Sequence, residues 1–258
     1  MSKDSPKEIL QTTRINTKLF WILVFGVWIA GQFPVFGKPF RLLATWVHEL
    51  GHGLGALASG GRFEQMIITP QFSGLAHTYT SHEWQQAIVL FSGLLGPAIA
   101  GAILLILTRR LNQSRLALFL LAGALLATLV FWAGDNFTRV IVFGFGLIIM
   151  LIAIKAWPLV RSFSAHIIAL SFCLNAVADF NYFFMRAADV GTYSGKSDTG
   201  ALAEIIGGPH LFWALVPSVL SLLILYYGAF RLSSGHGRAK IAATKTSPTK
   251  TSSTKTGA

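Results

Sequence analysis

The chain has 258 residues, of which 53% are apolar and only 12% charged, with a mean hydropathy of +0.59. That balance excludes a water-soluble globular domain and predicts a multispanning membrane protein. The formal charge of +11 lies mostly in the two termini and in short connectors between apolar runs, the way membrane orientation is encoded, so nucleic acid is not an expected partner.

In chain order, residues 1–18 are polar, with Lys3, Lys7, Arg14 and Lys18 against Asp4 and Glu8. The apolar run 19–36 is interrupted only by Gln32 and Pro34, and no small-x-small cleavage site follows it, so it is expected to remain as a span. Lys38, Pro39 and Arg41 mark a connector. The next segment, 40–58, carries His48-Glu49-Leu50-Gly51-His52 and stops at Ser59-Gly60-Gly61.

This HExxH sequence organises the chain. On a helix, His48 and His52 project from one face and both imidazoles reach a single Zn²⁺, while Glu49 lies beside the open coordination position. Two neutral nitrogen ligands plus a carboxylate that takes a proton from the attacking water are the parts of a zinc peptidase. Across 42–58 Glu49 is the only charged residue, and an ionisable group inside an apolar segment points to function. Gly51, Gly53 and Gly55 offer small surfaces that admit either a neighbouring helix or a substrate backbone.

Residues 62–84 change character, with short β-rich runs bounded by Gly and Pro that predict a hairpin or a loop at the membrane surface. His77 and His82 are expected to be exposed or interfacial there. The run 87–108 contains Ser92-Gly93-Leu94-Leu95-Gly96-Pro97 and Gly101, a smooth face suited to close packing. Two further spans, 116–133 and 140–156, are separated by Gly134-Asp135-Asn136, with Asp135 expected as a solvated loop residue. Cys173, the single cysteine, lies in the following apolar run and excludes an intrachain disulfide framework and a cysteine-based metal site.

That run, 163–184, carries Ser171, Asn175 and Asp179 four apart, a polar stripe on an otherwise apolar helix. A buried carboxylate needs a partner, and a catalytic zinc with two histidines lacks a third protein ligand. Asp179 is therefore the expected third ligand, unless it ends the helix at the membrane surface. His166 lies about 20 Å from it along such a helix, too far to share the metal. Residues 185–208 read as a polar connector, 210–230 as the last span, and 232–258 as a disordered basic tail able to touch anionic head groups.

The expected fold is an all-α polytopic membrane protein with six to seven transmembrane helices and a short β-hairpin or loop after the HExxH helix. The polar segment 1–18, an integral membrane domain 19–231 and the tail 232–258 are its parts. Arg109, Arg110, Arg115, Lys155, Arg161 and the tail fall on the cytoplasmic side through the last five spans. Seven full spans put the amino end outside; a re-entrant HExxH segment puts it inside.

With His48-Glu49-Leu50-Gly51-His52, Ser92 to Pro97 and Leu174-Asn175-Ala176-Val177-Ala178-Asp179 in view, the chain resembles the site-2 protease family of intramembrane zinc metallopeptidases, and its compact bacterial branch in particular. The resemblance implies a Gly-Pro element in the helix after HExxH, matched by Gly96-Pro97, and a later aspartate as third ligand, placed at Asp179. The family's fuller motif, Asn-x-x-Pro-x-x-x-Leu-Asp-Gly, is absent, with no proline and with Phe180 in place of the glycine. Asp198 is the reserve third ligand and Asp189 stands behind it. Ser197-Asp198-Thr199 also looks like a Ser-Asp-small element of this branch.

The function implied is that of a zinc metalloendopeptidase, with one Zn²⁺ per chain on His48, His52 and Asp179. Glu49 would be the general base and Asn175 a substrate-holding or ligand-orienting residue. Its expected partners are a membrane-protein substrate helix and the lipid bilayer, in a bacterial inner (plasma) membrane. The sequence carries no indication of oligomeric state. A relative that binds membrane segments without cutting them, or a transporter using the same polar site, are the alternatives.

Overall fold

The computed structural model describes residues 17–108, 111–178, 184, 187–190 and 193–233. Among these, α1 (Thr17–Gln32) meets α2 (Pro34–Ala58) at Phe33, and the two axes differ by 102°. Pro34 sits at the first position of α2, where its missing N–H costs nothing and its fixed φ favours helix. The hairpin β1 (Arg62–Ile68) and β2 (Gly74–Tyr79) follows, then α3 (Glu83–Leu107), α4 (Leu111–Phe131), α5 (Asn136–Lys155) and α6 (Pro158–Ala178). A second hairpin, β3 (Ala187–Val190) and β4 (Tyr193–Lys196), leads into the short helix α7 (Asp198–Ile205) and the final α8 (His210–Ser233).

Five of these helices are long and apolar enough to cross a membrane, and the bent pair α1–α2 raises the number to six if taken as one broken span. A seventh span is not found by length and composition among the described residues. The exterior is apolar, with Val130, Val140 and Tyr226 about as exposed as side chains in water would be, at 73%, 68% and 70%. Such a surface suits lipid, and the protein is an integral multi-pass membrane protein.

The main core joins α2, β1, α3, α4, α5 and α6 through Trp46, Met66, Leu105, Leu118, Val142 and Phe172. Trp46 Nε1 donates to Thr128 Oγ1 at 3.2 Å, tying α2 to α4 inside it. A second, smaller apolar cluster of Ala87, Leu94, Leu202 and Ala214 holds α7 and α8 against α3.

The first hairpin stands where it was expected, after the HExxH helix, with one face of β1 buried. It is wedged among the helices, with Met66 and Ile68 almost fully buried. Its backbone is satisfied there, as burial demands: Met66 N donates to Trp132 O (2.7 Å), Gly134 N to Met66 O (2.9 Å) and Ile68 N to Thr138 Oγ1 (2.7 Å). The antiparallel ladder runs from Arg62 opposite Tyr79 to Ile68 opposite Gly74, with an irregularity between Phe63 and Gln65. Asp135, expected in solvent, instead caps α5 by accepting from Thr138 N and Phe137 N. Residues 185–208, expected as a connector, contain the second hairpin and α7.

Candidate metal centre

Helix α2 places the HExxH residues near its carboxyl end. The end itself is fixed: Ser59 Oγ donates to Gly55 O and Ala56 O, Gly61 N donates to Ala56 O, and Gly60 takes φ +84, the left-handed conformation that glycine tolerates. His48 and His52 lie one turn apart on one face, as their spacing predicts. His52 and Glu49 are buried, and His48 is half-buried.

The carboxylate brought to the histidines is Asp198, 150 residues along the chain from His48. Its Oδ2 lies 3.1 Å from His48 Nε2 and 3.4 Å from His52 Nε2, and the two Nε2 atoms are 3.1 Å apart. Ligands about 2.0–2.1 Å from a tetrahedral zinc lie about 3.3–3.4 Å from one another. The triangle of two nitrogens and one oxygen therefore has the size of one face of a zinc tetrahedron, and its donor types are those of a catalytic site.

Neighbouring backbone sets the histidine geometry. His52 Nδ1 lies 2.9 Å from the carbonyl of Val89 on α3. A carbonyl has no proton to give, so Nδ1 carries one, and in the neutral form of the ring the Nε2 lone pair faces His48 and Asp198. Gly93, one turn further on α3, lies against the same ring with no room for a Cβ. Gly51 and Gly55 meet the backbone and side chain of Ser92, and Gly53 meets the Phe63 ring, so these three glycines allow close packing of α2 against α3 and β1.

The first hairpin walls Glu49. A Cβ on Gly74, at the start of β2, would collide with the Glu49 carboxyl group. The hairpin turn is tied to α2 by Thr45 Oγ1, which donates to Phe72 O at 2.8 Å, and by the Arg41 guanidinium over the Phe72 ring. Phe72 has φ 67, a conformation uncommon outside glycine, held by these two tethers. Glu49 thus lies between the histidine pair of its own helix and the first residue of β2.

The reserve residue Asp198 lies beside the two histidines, and Asp179, the expected third ligand, lies outside the described residues. The stripe that suggested Asp179 satisfies itself: Ser171 Oγ donates to Ile167 O and Asn175 Nδ2 to Ser171 O, each one turn back on α6. Asp189 is on β3, and at the start of α3 His82 N donates to Gln85 Oε1. His166 is buried in α6 against the Ser162 carbonyl. An apolar cavity of about 490 Å³ on another side of α2, lined by Trp46, Leu50, Leu54, Ile103 and Leu121 among others, includes none of the four site side chains.

Taken together, the helices and the site define a polytopic membrane protein that holds two histidines, an aspartate and an adjacent glutamate in its interior. The chain belongs to the Peptidase M50B-like family, whose sequence model matches residues 18–228. Membership implies a metallopeptidase, and the metallopeptidases of this family are zinc-dependent. No curated protein and no solved structure matches the chain.

Proposed function

We propose that this protein is an intramembrane zinc endopeptidase, with the ion held by His48, His52 and Asp198 and with Glu49 as the general base. The observation that carries the reading is the convergence of an HExxH pair with a carboxylate on a separate helix, at the spacing of three zinc ligands. Zinc bound there supplies Lewis acidity, bringing the pKa of a water near neutrality and polarising the scissile carbonyl.

The chain's own residues supply the rest. Glu49 takes a proton from the attacking water and returns it to the leaving amine, so that one C–N bond is exchanged for an acid and an amine. Val89 and Gly93 keep His52 in one tautomer and one orientation, and Gly74 limits the swing of Glu49. The outer edge of β1 is covered by residues 132–134, whereas β2 has no second strand partner among the described residues. An extended stretch of a membrane-spanning substrate would pair with β2 beside Glu49, which requires local unwinding, since a helix shields its own carbonyls. The basic residues of the connectors and tail favour a plasma-membrane protein with a cytoplasmic carboxyl end.

The test is metal content together with turnover. Detergent-purified wild type is expected to carry one zinc per chain and to cut a membrane-embedded reporter, and His48→Ala and Asp198→Asn are expected to lose both. Zinc without turnover on any membrane segment would favour a binding relative. Absence of zinc after reconstitution would remove the peptidase reading.

A further inference from the structure

Asp198 is the first residue of a helix only eight residues long, Asp198–Ile205. A helix of two turns does not hold itself in place and takes its position from tertiary contacts. Its apolar contact is Leu202, fully buried against Ala87, Leu94 and Ala214. That contact is one turn away from the carboxylate.

The first turn is fixed by a buried chain of polar groups. Ser197 and Thr199, which flank Asp198, are both fully buried. Gly200 N donates to Ser197 Oγ at 3.2 Å, capping the helix, and the two hydroxyls lie 3.2 Å apart. Thr199 Oγ1 in turn shares a hydrogen bond of 3.1 Å with Nε2 of His210, the first residue of α8. His210 is itself 7% exposed. Buried polar groups linked in this way have few alternative arrangements, because breaking one link leaves a desolvated group unpaired.

We propose that His210 is a positioning residue for the metal centre: through Thr199 it fixes the first turn of α7 so that the Asp198 carboxylate meets His48 and His52. The inference rests on the zinc reading above. His210 belongs to the membrane-spanning helix α8, so the link refers the Asp198 carboxylate to a span of the bundle. Ser197 sets the local helix start, Thr199 carries the link, and His210 anchors it.

The test uses the full-length protein in detergent, reconstituted with Co²⁺, whose visible absorption reports the ligand set of a zinc site. Affinity is read by competition with a chelator. Thr199→Val keeps the shape and removes the hydroxyl; it and His210→Ala are expected to weaken metal binding by about 10- to 100-fold, the usual effect of losing a partner behind a ligand. Both are expected to alter the cobalt spectrum. Thr199→Ser, which keeps the hydroxyl, is expected to restore the wild-type spectrum, and the Thr199→Val, His210→Ala double variant to be no weaker than the worse single variant.

Wild-type affinity and spectrum in Thr199→Val and His210→Ala would overturn the inference while leaving the zinc site intact. Equal damage from Thr199→Ser and Thr199→Val would also overturn it, since the hydroxyl would not then be the link. Failure of the wild type to take up metal would instead remove the zinc reading on which the inference stands.

Discussion

Gly93 lies flat against the imidazole of His52, with no space between them for a β-carbon. The ring is held from the other end by the Val89 carbonyl, so it cannot move aside without losing that bond. Gly93→Ala is therefore expected to turn the His52 ring and weaken zinc binding at least 10-fold, with an overpacking cost of about 1–3 kcal/mol. Chelator competition and a thermal melt check the two parts, and unchanged zinc affinity would count against the packing argument.

Two aspartates compete for the third ligand position. Asp198→Asn is expected to lose zinc, because a neutral amide replaces the carboxylate oxygen that lies 3.1 Å from His48. Asp179→Asn is expected to retain it. Elemental analysis of the two purified variants side by side decides the matter, and the reverse pattern would return the role to Asp179.

Glu49→Gln separates chemistry from metal binding. The side chain keeps its size, so zinc should remain, while loss of the general base is expected to lower cleavage by about 10²- to 10⁴-fold. Gly74→Ala should act in the same direction without touching a charged group, since the added methyl displaces the Glu49 carboxyl. Cleavage of a membrane-embedded reporter, normalised to zinc content, measures both. Full activity in Gly74→Ala would mean that Glu49 works from a different rotamer.

Asp135 provides a contrast remote from the ligands. As the cap of α5 it accepts from two backbone N–H groups. Asp135→Ala is expected to cost about 1 kcal/mol of stability and to leave zinc content and cleavage unchanged. A denaturant melt alongside the zinc measurement tests this, and loss of metal would show that α5 communicates with the site.

The long apolar helices and the HExxH face were legible because periodicity and hydropathy are local properties of the chain. The end of α2 at Ala58 was legible for the same reason, from Ser59-Gly60-Gly61. The carboxylate that lies beside the two histidines was harder. The polar stripe of α6 suggested a site, yet Ser171 and Asn175 bond back to their own helix, as hydroxyl and amide side chains in apolar helices commonly do. Asp198 stands in a short polar stretch that composition reads as a connector. Its local signal was a serine cap followed by an acid in the first turn, Ser197-Asp198. That signal marks a helix start, but not what the helix faces, which depends on the pairing of elements 150 residues apart. The burial of the first hairpin was hidden likewise, since its cover comes from the α4–α5 junction.

The two apolar clusters give the ion a second consequence. His48 and His52 ride on a helix rooted in the large core, whereas Asp198 rides on α7, held by the small cluster around Leu202. An ion held by both elements would draw its affinity partly from the docking of α7, and by thermodynamic reciprocity would return the same free energy to that docking. Metal loading and the docking of α7–α8 on α3 are then one equilibrium read from two ends. Chelation should thus loosen the seam between the clusters as well as stop the chemistry.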